Sequence, residues 1–340
     1  MLSSIYAAAA SARRARYRAG GRQRRLARPV ISVGNLRVGG TGKTPTVAHI
    51  ARVLLGMGER PAILSRGYAR TSAPDGVVIV SDGHRLCADL DRSGDEPLML
   101  ARAVGGARVL VSPDRYLAGR LAETHLGASV HLLDDGFQHL ALARGTDLVI
   151  VSAEDLADAR TLPSGRLREP LAAASAAHAV LVPSATEEQA RTVAASLGVE
   201  TAYRLERRAG EPRRLDAVGA SAAARTRVPV LAAAGIARPD RFFEELHAAG
   251  WDVKRTVSFR DHHRYSRADA ASLVEAARSA GARAIVTTEK DLVRLLPFRP
   301  LMLPVIWLPL TVEIEPAPTF RAWLAARLAA ERAAAGESPA

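Results

Sequence analysis

Short apolar runs alternate with stretches of helical periodicity through the first half of the chain. Continuous apolar strands separated by helices are typical of a parallel sheet that is covered on both faces. We therefore predict an α/β fold with a mostly parallel sheet covered by helices. The predicted strands are residues 30–33, 62–64, 77–80, 108–111, 130–133, 148–151 and 179–182.

A second alternation of strands and helices begins near Val228. Within it, Ser266 followed by Asp269 forms a capping box that predicts the start of a helix. The predicted strands of this part are at 230–232, near 253, at 284–287 and at 305–308, and the predicted helices are at 239–249, 266–280 and 320–334.

These patterns divide the chain into three predicted parts. Residues 1–28 form a basic N-terminal segment, residues 29–215 the larger domain, and residues 216–340 a smaller α/β domain. The last strand and helix either stay in the smaller domain or return to the larger one.

The loop after the first predicted strand is rich in glycine and ends in Gly-Lys-Thr. Backbone N–H groups of such a loop converge on an anion at the positive end of a helix. Lys43 can then reach the β and γ phosphates, and Thr44 can ligate Mg²⁺. The strict motif has its first glycine at position 37, where this chain has Arg37, so the loop must turn through Gly39 and Gly40. Arg37 either adds a phosphate contact or points to solvent.

Polar residues follow several predicted strands, at the edge where ligands bind in such sheets. Asp134 and Asp135 end one strand, as an acidic Mg²⁺ site in a nucleotide enzyme should. Arg66 and Arg115 follow two others and are candidates to neutralise phosphate oxygens. Asp95 precedes a helical run, so it is either a helix N-cap or a general base.

Charge is unevenly distributed along the chain. The net charge is +12, and no acidic residue occurs before Glu59, whereas the first 28 residues are crowded with arginines. Such a segment predicts peripheral contact with an anionic membrane surface, and a disordered tail, a transit peptide and a nucleic-acid patch remain alternatives. The single cysteine, Cys87, excludes an internal disulfide framework.

Eight motifs in order along the chain resemble the tetraacyldisaccharide 4'-kinase family of lipid A biosynthesis. They are VGNLRVGGTGKTP, SRGY, GDEP, SPDRY, LLDDGFQH, LPSGRLREP, FRDHH and TTEKD. The resemblance implies a P-loop kinase that uses ATP and Mg²⁺ to phosphorylate the 4' hydroxyl of an acylated glucosamine disaccharide 1-phosphate, giving lipid IVA. It also implies an N-terminal membrane-binding helix at the cytoplasmic face of the bacterial inner membrane.

The resemblance also implies roles for individual residues. The nucleotide would be bound by the loop and one later residue, and the metal by three oxygen-bearing side chains. Asp95 matches a general base supported by a histidine of the DHH stretch, for which we choose His262 over His263. The nucleotide set is Gly39, Gly40, Thr41, Gly42, Lys43, Thr44 and Gln138; the metal set is Thr44, Asp134 and Asp135; the catalytic set is Asp95, His262, Asp135, Arg115 and Glu169.

Two other functions compete with this interpretation. One is a P-loop ATPase of the partitioning or metallochaperone type, whose signature lysine would fall at Val38. The other is a nucleic-acid-binding protein that uses the arginine-rich N-terminus. We expect a monomer that acts on the lipid and an anionic membrane surface, without nucleic acid.

Overall fold

The computed structural model of the chain describes residues 2–19, 21, 23–68, 70–72, 76–215, 221–223 and 228–336. These residues form two β-sheets with helices packed against them. The helices are α1 (Leu2–Arg18), α2 (Lys43–Gly56), α3 (Leu90–Ser93), α4 (Asp95–Ala103), α5 (Arg115–Leu126), α6 (Ala153–Ala157), α7 (Glu187–Ser196), α8 (Pro239–Ala248), α9 (Arg267–Ser279), α10 (Glu289–Leu295) and α11 (Ala317–Ala334). The strands are β1 (Val30–Asn35), β2 (Pro61–Ser65), β3 (Val78–Asp82), β4 (Arg108–Val111), β5 (Val130–Asp134), β6 (Thr146–Ile150), β7 (Ala179–Pro183), β8 (Ala202–Ala209), β9 (Arg213–Leu215), β10 (Ser221–Ala223), β11 (Val230–Ala234), β12 (Val253–Ser258), β13 (Ala284–Thr288), β14 (Val305–Leu308) and β15 (Leu310–Glu315).

The larger sheet has nine strands in the order β15-β8-β7-β6-β1-β5-β2-β4-β3. Its inner strands are parallel, whereas the edge strands β3 and β15 run antiparallel to their neighbours. β1 lies between β5 and β6, with Val33 paired to Asp134 on one side and to Leu148 on the other. The predicted α/β class with a mostly parallel sheet is confirmed. The apolar run at 77–80 differs, because it forms an antiparallel edge strand.

Helices cover both faces of this sheet because its strands are apolar on both sides. On one face, α2, α4 and α11 bury Ile50, Leu100 and Phe320. On the other face, α5 and α7 pack small residues such as Ala122 and Ala194 close to the strands. The covering helices leave the carboxyl ends of the parallel strands as the edge where a ligand can bind.

The smaller sheet has six strands in the order β10-β9-β14-β13-β11-β12. Strands β11 to β14 are parallel, and β9 and β10 extend the sheet in antiparallel fashion. Helix α8 buries Phe242 and Leu246 on one face, and α9 buries Leu273 on the other. The predicted capping box, with Ser266 as N-cap, opens α9.

The end of the chain packs against the larger sheet. β15 pairs antiparallel with β8, and α11 buries Leu324 and Leu328 in the same core. The predicted boundary after residue 215 falls at the end of β9, and the following residues 216–220 lie outside the described part of the chain. The domain boundaries therefore stay a prediction.

The N-terminal segment forms the helix α1, which is exposed over most of its length. Leu2 and Ile5 near its start are 70% and 61% exposed. Among the described residues, no helix combines the length and the apolar character that a membrane crossing would need.

Candidate active site

The glycine-rich loop joins the carboxyl end of β1 to α2, which begins at Lys43. Gly39 and Gly42 have backbone φ angles of 102° and 87°, a region that residues with a Cβ atom rarely adopt. A Cβ atom added at Gly40 or Gly42 would meet no heavy atom within 4 Å. The loop is therefore a backbone cradle that faces open space at a helix N-terminus, which suits an anion.

The side chain of Lys43 is held at the mouth of this cradle. Its Nζ donates to Asn35 Oδ1 over 3.2 Å, and Asn35 Nδ2 donates to Thr41 Oγ1 over 2.8 Å. Thr44 lines the same cleft as Lys43. The end of β1 thus fixes the direction of the lysine before any phosphate arrives.

Arg37 does not point to solvent. Its side chain is buried, and its Nη1 lies 3.1 Å from Asp155 Oδ1 and 3.2 Å from Glu154 Oε2. The predicted solvent-facing alternative is wrong, because these two carboxylates hold the guanidinium against α6. Arg37 also lines the cleft, and its predicted phosphate contact stays a prediction.

The acidic pair lies at the carboxyl end of β5, beside the loop. Asp135 has a φ of 52°, which directs its side chain out of the strand. Its Oδ2 accepts a hydrogen bond of 2.7 Å from Arg168 Nη1, and its Oδ1 lies 3.7 Å from Lys43 Nζ. Burial opposes the charge of Asp135, but Lys43 and Arg168 outweigh it and lower its pKa.

Asp134 has the opposite electrostatic balance. Burial, with the nearby carboxylates of Glu96 and Asp135, raises its pKa to about 7. Asp135 Oδ1 is buried and has no hydrogen-bond partner within the described ranges. A cation at this place would favour the ionised form of Asp134 and would give Asp135 Oδ1 a partner.

The carboxylate oxygens of Asp134 and Asp135 therefore suit a Mg²⁺ ion, and Thr44 lines the same cleft. In the part of the chain that the structure describes, no three acidic, histidine or cysteine side chains cluster as an all-protein metal site. Mg²⁺ usually takes one or two carboxylates and completes its shell with phosphate and water oxygens.

Gln138 and Glu169 form a buried network behind the acidic pair. Gln138 Nε2 donates to Asn35 O over 2.9 Å and to Glu169 Oε2 over 3.1 Å. Arg14 of α1 also donates to Glu169, from Nε over 3.1 Å and from Nη2 over 2.7 Å. The guanidinium of Arg14 lies 4.2 Å from the ring centroid of Phe137. The sequence did not distinguish Arg14 from its neighbours, because it is one of a run of arginines.

Arg115, His139 and Arg66 line the same cleft. Arg115 is buried at the start of α5, and its Nε has no hydrogen-bond partner among the residues described. Burial lowers the pKa of Arg115 to about 10, against the attraction of Asp134. Burial and the positive charges of Arg115 and Arg144 lower the pKa of His139 to about 4, so its ring is neutral at neutral pH.

Asp95 is not a helix N-cap. It is the first residue of α4, and Gly94 occupies the capping position. The N-cap alternative is therefore wrong. Asp95 is buried, and its Oδ2 accepts a hydrogen bond of 2.9 Å from Arg294 Nε and another from Arg294 Nη2.

The two histidines of the loop before α9 face different partners. His262 Nδ1 lies 3.1 Å from Asp95 Oδ2, whereas His263 Nε2 lies 3.3 Å from Asp269 Oδ2. Burial opposes the charge of Asp95, but His262, Lys290 and Arg294 outweigh it and hold its pKa far below the usual range.

Sequence reasoning missed the roles of Lys290 and Arg294. Both lie on α10, which crosses from the smaller sheet to α4 of the larger one. The TTEKD motif contains Lys290, but a motif does not show which side chain each charged residue will contact.

Most of the predicted site residues line one cleft of about 2030 Å³ between the two sheets. Asp95 and Glu169 are buried just behind its wall. The cleft is lined by Lys43, Thr44, Arg115, Asp134, Asp135, Gln138, His262 and Lys290. The strand-loop-helix cradle, the acidic pair and the facing carboxylate–histidine pair define a P-loop phosphotransferase.

Comparison with known proteins identifies the family. The model of the family described as LpxK, tetraacyldisaccharide-1-P 4'-kinase, matches residues 1–329. The tetraacyldisaccharide 4'-kinase of Geobacter metallireducens is 41% identical over 309 residues, which cover 87% of this chain and 88% of that protein. The enzyme of the same name from Koribacter versatilis is 41% identical over 301 residues, which cover 86% and 87%. The chain belongs to the tetraacyldisaccharide 4'-kinase family.

A solved structure agrees with this membership. LpxK from Aquifex aeolicus, crystallised in complex with ATP, is 30% identical, with a TM-score of 0.76 and coverage of 96% of this chain and 97% of that one. The chain is therefore a member of a kinase family, and the partitioning-type ATPase is not favoured.

Proposed function

We propose that the protein transfers the γ-phosphate of ATP to the 4' hydroxyl of tetraacyldisaccharide 1-phosphate, giving the lipid A precursor lipid IVA. One observation supports this proposal more than any other. Lys43 and Asp134 of the larger sheet line the same cleft as His262 of the smaller one. A phosphate donor and a hydroxyl acceptor can therefore meet between them.

The glycine-rich loop would bind ATP. Its backbone N–H groups and the N-terminus of α2 suit the phosphates, and Lys43 carries the charge that reaches the transferred group. Gln138, tied to Asn35 and Glu169, would support the loop from behind. We assign Gly39, Gly40, Thr41, Gly42, Lys43, Thr44 and Gln138 to the nucleotide.

Thr44, Asp134 and Asp135 would hold Mg²⁺, whose charge offsets that of the phosphate oxygens. Arg115 would contribute further positive charge to the transferred group, because its side chain is buried and its Nε lacks a partner in the described residues. Since phosphoryl transfer depends mostly on positioning and electrostatics, each of these residues acts by placement.

Asp95 would accept the proton of the sugar hydroxyl, with His262 beside it. The hydroxyl oxygen forms a bond to the γ-phosphorus, the bond to the β–γ bridging oxygen breaks, and ADP leaves. Arg294 and His262 fix the direction of the Asp95 carboxylate. Glu169, paired with Arg14, would support the loop that carries Gln138.

The N-terminal helix would bring the enzyme to its lipid. Its exposed Leu2 and Ile5 and its arginines suit an anionic bilayer surface. We place the enzyme at the cytoplasmic face of the bacterial inner membrane, as a monomer.

The test is transfer of labelled γ-phosphate to tetraacyldisaccharide 1-phosphate in mixed micelles with Mg²⁺. We expect wild type to label the lipid and Lys43→Ala to lose about a hundredfold or more of the rate, since it removes a charge at the transferred group. Lys254→Ala removes an exposed lysine of β12 and should match wild type. ATP hydrolysis without labelled lipid would refute the proposed acceptor.

A further inference from the structure

Lys290 lies between three side chains at the junction of the two sheets. Its Nζ is 2.9 Å from His262 Nε2, 3.3 Å from Glu96 Oε1 and 3.9 Å from Asp261 Oδ1. An ammonium group has three N–H donors, and here His262 and Glu96 lie within hydrogen-bond distance, while the Asp261 carboxylate adds a longer charge contact. The side chain is only 19% exposed, so water competes weakly for these contacts.

The contact between Lys290 and His262 determines which ring nitrogen carries the proton. The lysine ammonium can only donate, so Nε2 of a neutral imidazole accepts with its lone pair. In a neutral His262 ring, this contact places the single proton on Nδ1.

Nδ1 of His262 faces the proposed base. It lies 3.1 Å from Asp95 Oδ2, but it has no regular hydrogen-bond partner in the described part of the chain. The backbone φ of His262 is 58°, and the ring of Tyr68 packs edge-on against the imidazole at 5.1 Å between centroids. Lys290 and Tyr68 thus hold the ring with its Nδ1–H toward the carboxylate.

We propose that Lys290 is a positioning residue that keeps the Nδ1–H tautomer of His262 against Asp95. This inference rests on the proposed function of Asp95. His262 then donates a hydrogen bond to the carboxylate and does not relay its proton, because Nδ1 is already protonated and Nε2 is covered by Lys290. The hydroxyl proton stays on Asp95 during transfer and passes to water after the product leaves.

The use of lysine in this chain supports the inference. Of 47 lysines and arginines, only Lys43, Lys254 and Lys290 are lysines, and two of the three line the cleft. A guanidinium is a planar fork, whereas an ammonium is a compact donor that can serve three acceptors around one point. Lys254 is exposed and lies 2.9 Å from Asp252 Oδ1, so it provides a matched control.

The direct test is ¹⁵N NMR of the full-length protein labelled at its histidine nitrogens, at a pH where the rings are neutral. The signal of His262 is assigned by its loss in His262→Asn. We expect wild type and Lys254→Met to show Nδ1 protonated and Nε2 unprotonated, and Lys290→Met to lose this preference. His263, facing Asp269, should show a protonated Nε2. A wild-type His262 protonated at Nε2, or a tautomer unchanged by Lys290→Met, would overturn the proposal.

Kinetic measurements distinguish two roles of His262: holding the Asp95 carboxylate by a hydrogen bond, and relaying a proton. His262→Asn keeps an N–H donor near Nδ1 and tolerates the left-handed backbone, but it does not titrate. We expect kcat to fall less than about tenfold in His262→Asn and about a hundredfold in His262→Leu. Lys290→Met should lower kcat about tenfold with the KM for ATP unchanged. Equal losses in the two His262 variants would favour the relay and contradict the proposal.

Failure of this inference is distinguishable from failure of the proposed function. A wild-type enzyme that leaves the lipid unlabelled refutes the acceptor. The NMR spectrum still decides whether Lys290 sets the tautomer of His262.

Discussion

Asp134 and Arg115, two charged residues of the cleft, have shifted pKa values because burial and neighbouring charges act on them. Asp134 is driven toward neutrality by burial and by Glu96 and Asp135, whereas burial weakens the charge of Arg115. A doubly charged cation would favour the ionised Asp134, and phosphates would favour the charged Arg115. The electrostatics of the cleft therefore suit a metal–nucleotide complex.

His139 should make the stability of the protein depend on pH. Its pKa is lowered from 6.5 to about 4, so between these values the unfolded chain binds a proton that the folded chain does not. Above pH 6.5 His139 is neutral in both states and does not reduce the free energy of unfolding. As the pH falls from 6.5 toward 4, protonation of the unfolded chain lowers that free energy. Urea unfolding at pH 7 and pH 5 should show a smaller loss of stability in His139→Gln than in wild type. An equal loss in both proteins would contradict this.

The sequence predicted those site residues that follow strands or belong to motifs. Asp134 and Asp135 directly follow an apolar run, so their position at the sheet edge follows from the strand. Arg14 and Arg294 could not be predicted, because their partners Glu169 and Asp95 are 155 and 199 residues away. Nothing local distinguishes an arginine that will pair from one that stays exposed.

At the scale of the elements, α1 is tied to the catalytic loop. Arg14 is the buried residue of this helix, and its pairing with Glu169 reaches Gln138 through a shared carboxylate. The helix that we propose to bind the membrane is thereby linked to the loop that carries Gln138.

Removing the ion pair between Arg14 and Glu169 should weaken the attachment of α1 to the rest of the protein. Arg14→Gln leaves a buried carboxylate with one amide donor, so we expect the free energy of unfolding to fall by about 3 kcal/mol. Arg16→Gln removes the same charge from an exposed position of α1 and should change it by less than about 0.5 kcal/mol. Urea unfolding measures both, and limited trypsin digestion should cut the N-terminal segment of Arg14→Gln faster. Equal behaviour of the two variants would show that the buried pair does not anchor α1.

Two of the strands that the sequence failed to predict share one pattern. β8 and β15 alternate apolar and charged residues, with Leu205 and Ile314 buried and Arg204 and Glu313 facing away from the core. Continuous apolar runs mark the central strands, because these are buried on both faces. The half-buried strands β8 and β15 have no such run. The pattern also could not predict that β3 is antiparallel to its neighbour, since a run of apolar residues does not show which way a strand runs.

At the scale of the whole molecule, the site exists only where the two sheets meet. Arg294 of α10 binds Asp95 of α4, and Lys290 beside it bonds Glu96 of the same helix. The part of the chain around the larger sheet supplies the phosphate cradle and the acidic pair. The part around the smaller sheet supplies His262 and Arg294, which hold the proposed base Asp95. The sequence predicted both α/β units, but it did not show how they face each other.

The proposed function requires that one particular hydroxyl of the lipid is phosphorylated, and the reaction product shows which hydroxyl carries the new phosphate. Tetraacyldisaccharide 1-phosphate and its 4'-deoxy analogue are each incubated with wild-type protein and Mg²⁺-ATP, and the products are analysed by ³¹P NMR and mass spectrometry. We predict a new phosphate monoester at the 4' oxygen of the first lipid and none on the analogue. Phosphate on the analogue, or at another hydroxyl of the natural acceptor, would contradict the account.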